Sequence, residues 1–289
     1  MTAAGEHRPV RIVTDSAADI PPAMLEGLPI TVVPLTVEVE GTVYRDGVDL
    51  SRDEFLAILR AGKQPRTSQP SVGAFREVYT ELVGGGVDVV GVHIATGLSG
   101  TFNASRTAAE EVEPGRVRPI DTRTVSMGTG WIALEAAEMA LTGGNLDAIA
   151  TMVERRRTDQ RVYAALDTLE YLQRGGRIGR TSAFLGSALQ IKPIVEVRDG
   201  GVEPLERVRT ARRALERLVA LAQAQVPWEH LMVLHVGVED TARELAARAE
   251  AIQDGLAVGV APLGTVVATY GGPGLVGFAG LVRPHSAPA

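Results

Sequence analysis

The chain of 289 residues contains no cysteine, which removes disulfide frameworks, iron-sulfur clusters and thiolate zinc sites in one step. Aromatic side chains are scarce, at 4%. Leucine, valine, isoleucine and alanine must therefore fill the interior, and few rings remain for stacking on bases. Basic charge is not in excess either: 29 lysines and arginines stand against 35 aspartates and glutamates, a formal net charge of −6. Such a chain has no long-range field to gather DNA or an anionic membrane, so no nucleic-acid partner is expected. No apolar run approaches the roughly 18 residues that mark a transmembrane helix, and the first nine residues lack the apolar segment of an export signal. An integral membrane segment is not expected, and the expected location is the cytoplasm. The five histidines are His7, His93, His230, His235 and His285. None shows the HExxH spacing that sets two imidazoles on one helical face, so no metal and no cofactor is expected.

Hydrophobic residues at 45% and charged residues at 22% are the ordinary balance of a globular protein. The length suits two cores better than one. In the first half, short β-rich runs alternate with helical patterns, the grammar of a parallel sheet wrapped by helices. Strands are expected at residues 10–14, 30–39, 87–94 and 117–121. Helices are expected at 54–61, opened by the capping box Ser51-Arg52-Asp53-Glu54, after Ser71, and at 102–112, 127–141 and 147–157. Beyond about residue 161 the pattern changes, because strands at 191–197 and 202–208 flank Arg198-Asp199-Gly200-Gly201, a hairpin signal that requires antiparallel pairing. A helix at 210–224, a strand at 231–236, a helix at 240–253 and a closing β segment at 265–282 follow. The expected architecture is α/β with an N-terminal α/β/α domain at 8–160, a C-terminal α+β domain with a mixed sheet at 161–284, and a ligand cleft between them. Loose ends are expected before Arg8 and after Pro284.

Two enzymatic readings can be tested on motifs. Gly272-Pro273-Gly274-Leu275-Val276-Gly277 matches GxGxxG, but a dinucleotide fingerprint needs a following helix and strand, and only a dozen residues remain. A turn is the better explanation. Gly97-Leu98-Ser99-Gly100-Thr101 sits where a strand passes into a helix, as a nucleophile elbow does, yet it has Thr101 where the elbow needs glycine. A hydrolase or acyltransferase using Ser99 is therefore one alternative, with His235 as the imaginable base; a regulatory module that senses a small ligand is another. More distinctive is a set of small hydroxyls on loops: Thr14, Ser16, Thr67, Ser68, Ser99 and Thr101, with Asn103 beside them. Hydroxyls and amides near helix starts suit an anion, although each residue alone reads more readily as an ordinary N-cap.

Five blocks then stand in order along the chain: Val13-Thr14-Asp15-Ser16-Ala17-Ala18-Asp19-Ile20-Pro21, Thr67-Ser68-Gln69-Pro70-Ser71, Leu98-Ser99-Gly100-Thr101-Phe102-Asn103-Ala104, Leu172-Gln173-Arg174-Gly175-Gly176-Arg177-Ile178 and Gly272-Pro273-Gly274. Together they resemble the DegV family of fatty-acid-binding proteins over nearly the whole chain. The resemblance implies a two-domain carrier, not an enzyme, that encloses a long-chain fatty acid between its domains. It implies that Thr67 and Ser99 hold the carboxylate, with Ser68, Thr101, Asn103 and Tyr270 in support. It further implies presentation of the acid to a partner fatty acid kinase, which makes an acyl phosphate for phospholipid synthesis, with Arg174 and Arg177 in the block associated with that partner. The chain departs from the family in having Tyr270 where a histidine commonly precedes the Gly-Pro-Gly. A histidine can carry positive charge there; a phenol offers only a hydroxyl.

Such a carrier makes physical sense. A carboxylate taken from water must be hydrogen-bonded, while the tail supplies affinity at about 0.8 kcal/mol per buried methylene, on the order of 10 kcal/mol for a sixteen-carbon chain. Apolar stretches at 184–194 and 275–281 are candidate tunnel walls.

Overall fold

The computed structural model describes residues 8–184 and 191–283. β1 (Val10–Asp15) lies beside β2 (Ile30–Val33) in parallel. The expected single strand at 30–39 is in fact two, because Pro34 has no N–H to donate and ends the first. β3 (Thr36–Val39) turns away and pairs antiparallel with β4 (Thr42–Arg45). α1 (Arg52–Arg60) follows with the capping box in place, since Ser51 Oγ accepts from Glu54 N and the Glu54 carboxylate accepts from Ser51 N. β5 (Arg66–Ser68) then adds to β3, completing a three-stranded sheet that the sequence pattern did not announce. Its strands are only three and four residues long, too short for alternation to show.

α2 (Val72–Gly84), capped by Ser71, leads into β6 (Asp88–His93), α3 (Thr101–Glu110) and β7 (Val117–Asp121). The first sheet is all parallel, ordered β2-β1-β6-β7. α4 (Met127–Leu141) is buried on nearly every side, touching β1 and β6 on one flank and β8 and β13, introduced below, on the other. A helix apolar all round can only be stable in such a sandwiched place. α5 (Leu146–Arg156) closes the first half.

β8 (Gln160–Ala165), which was not expected, begins the second half, followed by the short α6 (Glu170–Arg174). The anticipated hairpin is present as β9 (Lys192–Arg198) and β10 (Gly201–Val208). Then come α7 (Ala211–Gln223), β11 (Trp228–His235), α8 (Glu239–Glu250) and the unforeseen β12 (Val258–Pro262). The closing β segment needs correction: Thr265–Gly271 is a helix, α9, and only Val276–Val282 is a strand, β13. Its valines suggest a strand, but the Gly264 and Thr265 N–H groups are bound by Asp19 and Asp46 carboxylates from the first half, and this tertiary capping overrides propensity. The mixed second sheet runs β10-β9-β8-β13-β11-β12.

One apolar cluster extends from Val10 and Ile12 on β1 to Ala279 and Leu281 on β13, so the two halves share a core. The Gly-Pro-Gly block is a turn: Gly272 and Gly274 have φ of +73° and +87°, conformations that glycine adopts without strain. Gly277 opposes Ala164 across the ladder, and a Cβ there would lie 2.2 Å from Tyr163 O. The GxGxxG match is thus explained by backbone geometry, with a strand and no helix after it.

Candidate functional site

A cavity of about 420 Å³ lies where the two halves meet. Its apolar wall comes from Ile94, Leu98 and Val125 of the first half, and from Val162, Val195, Val197, Leu275 and Phe278 of the second. The stretch 275–281 therefore contributes directly. Of the stretch 184–194, residues 185–190 and the Phe184 side chain lie outside the described residues, and Ile194 is core.

Polar side chains gather at one place. β5 brings Thr67, α9 brings Tyr270, and the loop after β6 brings Ser99; all three line the cavity. Thr67 Oγ1 and Tyr270 OH are 2.5 Å apart. The Arg177 guanidinium carbon sits 4.9 Å from the centroid of the Tyr270 ring, and Arg177 Nε donates to Leu98 O at 3.2 Å, next to Ser99. A Cβ on Gly100 would collide with Gln69 Oε1, so the Thr67-Ser68-Gln69 strand and the Leu98-Ser99-Gly100 turn are in direct contact. β5 and the loop after β6, some thirty residues apart in sequence, thus meet at the cavity.

The other expected residues divide. Ser68 lines the cavity beside Thr67, although it is exposed. Thr101 is fully buried and does not line it; its Oγ1 is 2.8 Å from Ser99 Oγ, so it positions Ser99. Asn103 is exposed on α3 and takes no part. Two residues beyond Thr101 is about 200° around a helix, which turns it to the opposite face. Arg174 is exposed and paired with Glu170. Arg177, by contrast, is half-buried, donating to Gly175 O as well as Leu98 O. The charge that a histidine at 270 would bring is available from this guanidinium stacked on the tyrosine.

Sequence reasoning missed Gln69 and Ser126, both of which line the cavity. Gln69 stood within a quoted block. Ser126 stands at the start of α4 with φ of 56° and ψ of −146° and does not cap the helix; its hydroxyl donates to Asp19 Oδ2, 2.5 Å away. Burial pushes the Asp19 carboxyl from 3.8 up to about 7; Ser126, Arg52 and the Gly264 N–H oppose the rise, and Asp46 adds to it. Between about pH 4 and pH 7 the folded chain therefore keeps a proton that the unfolded chain has released, so stability falls as pH rises through that window, by on the order of 4 kcal/mol. Denaturant titrations across this range should show that slope in the wild type and a much flatter one in Asp19→Asn. Equal slopes would mean that Asp19 ionises as an ordinary carboxyl.

The hydrolase reading finds no base here. His93 is buried between Asp15 (3.2 Å) and Ser105 (2.8 Å), and His235 lines a different pocket, with burial pushing its imidazole pKa down. Among the described residues no histidine lines the cavity.

Comparison with known proteins gives a consistent likeness. The profile of the DegV family, described as uncharacterised protein, matches residues 9–282. A DegV domain-containing protein of Streptomyces coelicolor is 39% identical over 274 residues, 93% of this chain and 97% of that one. A solved structure described as showing fatty acid binding by a DegV family protein from Thermus thermophilus superimposes with a TM-score of 0.87 at 36% identity, covering 95% of this chain and all of that one. A stearic-acid-binding protein from Eubacterium ventriosum gives 0.86 at 26% identity, covering 94% and 98%.

Proposed function

Because the chain belongs to the DegV family, we propose that it is a carrier that encloses one long-chain fatty acid in the interdomain cavity and performs no chemistry on it. The carrying observation is the composition of that cavity: a mainly apolar wall in which the donors Thr67, Ser99, Tyr270 and Arg177 are among the few polar side chains. A carboxylate removed from water needs such donors, and the half-buried guanidinium supplies the balancing charge. The tail supplies affinity through burial against valine and leucine. Solved relatives that bind fatty acids support the same reading.

The protein then presents the carboxylate, in the cytoplasm, to an ATP-dependent fatty acid kinase, and the acyl phosphate passes to phospholipid synthesis. This step rests on the family likeness and on the place of the head group beside a basic surface pocket. The domain boundary falls at residues 160 and 161, so that the cavity wall is contributed by both domains.

Native mass spectrometry of the purified protein tests the binding step. The wild type should retain a fatty acid, and Thr67→Ala with Ser99→Ala should weaken binding about 100-fold, as expected for two lost hydrogen bonds to a charged group. Unchanged occupancy in that folded double variant would remove the assignment. Turnover of an ester probe that stops on Ser99→Ala would favour the hydrolase instead.

A further inference from the structure

A separate pocket of about 310 Å³ opens between α1 of the first half and the α8, β12 and α9 segments of the second, and only Leu263 is common to it and the lipid cavity. We infer that this pocket binds a small organic monoanion, a carboxylate on a short apolar body, through Arg52 and His235. The site does not depend on the fatty acid proposed above.

Its place in the fold is one that α/β sheets use for ligands. β11, α8 and β12 form a parallel βαβ unit, and His235 and Pro262, the last residues of the two strands, are register partners. The pocket lies outside those carboxyl ends. Two of its groups lack partners. His235 is 6% exposed, and its Nδ1 is the single buried side-chain nitrogen or oxygen without a hydrogen bond among the described residues. Native chains rarely leave such an atom unsatisfied, so an orphan on a residue that lines a cavity marks a place for a ligand atom. Arg52 is half-buried and makes no ion pair or hydrogen bond among the described residues. Its charge acts on His235 and also on Asp19, in the neighbouring pocket that it borders, without pairing with either. α8 begins at Val238 with no side-chain cap, so backbone N–H groups at Gly237 and Glu239 stand beside the same space.

Charge and shape fix the class of ligand. Burial pushes the His235 pKa down, with Arg243 and Arg52 adding to the fall and Glu239 opposing it. With its proton on Nδ1, the neutral ring offers a hydrogen bond and no charge. Two acids, Asp53 and Glu239, stand on the wall; both are exposed, and Glu239 is paired with Arg243. One unpaired guanidinium against that rim suits a single negative charge and disfavours a phosphate dianion. The remainder of the wall is apolar, from Phe55, Leu56, Val260, Leu263 and Ala268, which calls for a hydrocarbon body behind the carboxylate.

Hexanoate, hexanol and inorganic phosphate are each titrated into protein saturated with hexadecanoate, so that the lipid cavity is already filled. The His235 ring nitrogens are followed by nitrogen-15 NMR, and calorimetry gives the affinities. Hexanoate should shift the His235 signals to saturation, and Arg52→Gln and His235→Gln should each weaken it about tenfold. Both variants should bind hexadecanoate within about twofold of wild type, because neither residue lines the lipid cavity. No response of His235 to millimolar hexanoate is the result if water alone fills the pocket, and it overturns the site. Hexanol or phosphate binding as tightly as hexanoate overturns the class of ligand, and wild-type hexanoate affinity in Arg52→Gln overturns the role of the guanidinium. Equal weakening of hexanoate and hexadecanoate would report a general disturbance and also counts against the site. Should hexadecanoate not bind the wild type at all, the fatty-acid reading fails, and the same titrations on unloaded protein still decide this pocket.

Discussion

A tryptophan at position 164 is expected to abolish retention of long-chain acids while the protein stays folded. Ala164 lies on β8 between Gly277 of β13 and Val195 of β9, and its side chain forms part of the cavity wall. The indole enters space that the acyl chain needs, and so need not displace close-packed neighbours. Excluding about six methylenes at about 0.8 kcal/mol each removes about 5 kcal/mol, a loss of several thousand-fold in affinity. Competition binding across a series of saturated acids, with a thermal melt as the folding control, measures this. Short acids should still bind, since Thr67, Ser99, Tyr270 and Arg177 are untouched. Wild-type affinity for hexadecanoate in Ala164→Trp would place the tail outside this cavity.

Arg156→Ala should be the most destabilising single change in the charged residues. Arg156 is 2% exposed and donates to both oxygens of Glu135, to Asp159, to Glu229 on β11 and to Val282 O. Burial works against the charges of Arg156 and Glu135, but the hydrogen bonds outweigh it, holding the guanidinium pKa above and the Glu135 pKa below their usual values. Glu135, Glu229 and His230 also bring potential metal-ligand atoms within 4.8 Å of one another. Arg156 already balances both carboxylates, so the cluster reads as an ion-pair hub tying α4 and α5 to the second sheet. Removing the arginine leaves the half-buried Glu135 and Asp159 carboxylates uncompensated at a cost of about 3 kcal/mol, and a melting point about 10 °C lower. Arg156→Lys keeps the charge but loses the fork and should fall between. A melting point in Arg156→Ala within about 2 °C of wild type, below the shift that 1 kcal/mol produces, would mean that the hub contributes nothing net.

The legible parts of this protein are those whose cause is local. The capping box at Ser51 and the hairpin around Asp199 and Gly200 appear where nearest neighbours alone dictate them. The hydroxyl blocks at Thr67 and Ser99 were legible as well, because their order along the chain resembles a known pattern. Less visible were segments whose conformation is imposed from afar. Thr265–Gly271 looks like a strand until Asp19 and Asp46 cap it, and nothing near Ser126 in sequence shows that its hydroxyl reaches Asp19. Asn103 shows the converse error, a residue close in sequence to Ser99 that helical rotation sends to the opposite face.

From residue order alone follow the parallel sheet, the change of grammar near residue 161, the exclusion of thiolate chemistry and the two blocks that carry the hydroxyls, although the first of them is a strand and not the expected loop. Periodicity and turn chemistry act over a few residues and can be read directly. Only the tertiary structure decided that Tyr270 reaches Thr67 across 203 residues, that Arg177 turns inward to supply the charge, and that Lys63 and Arg66 gather beside them. The reason is that these contacts are made by side chains on separate elements, and their meeting is settled by how two sheets and α4 share one core, which no short window of sequence encodes.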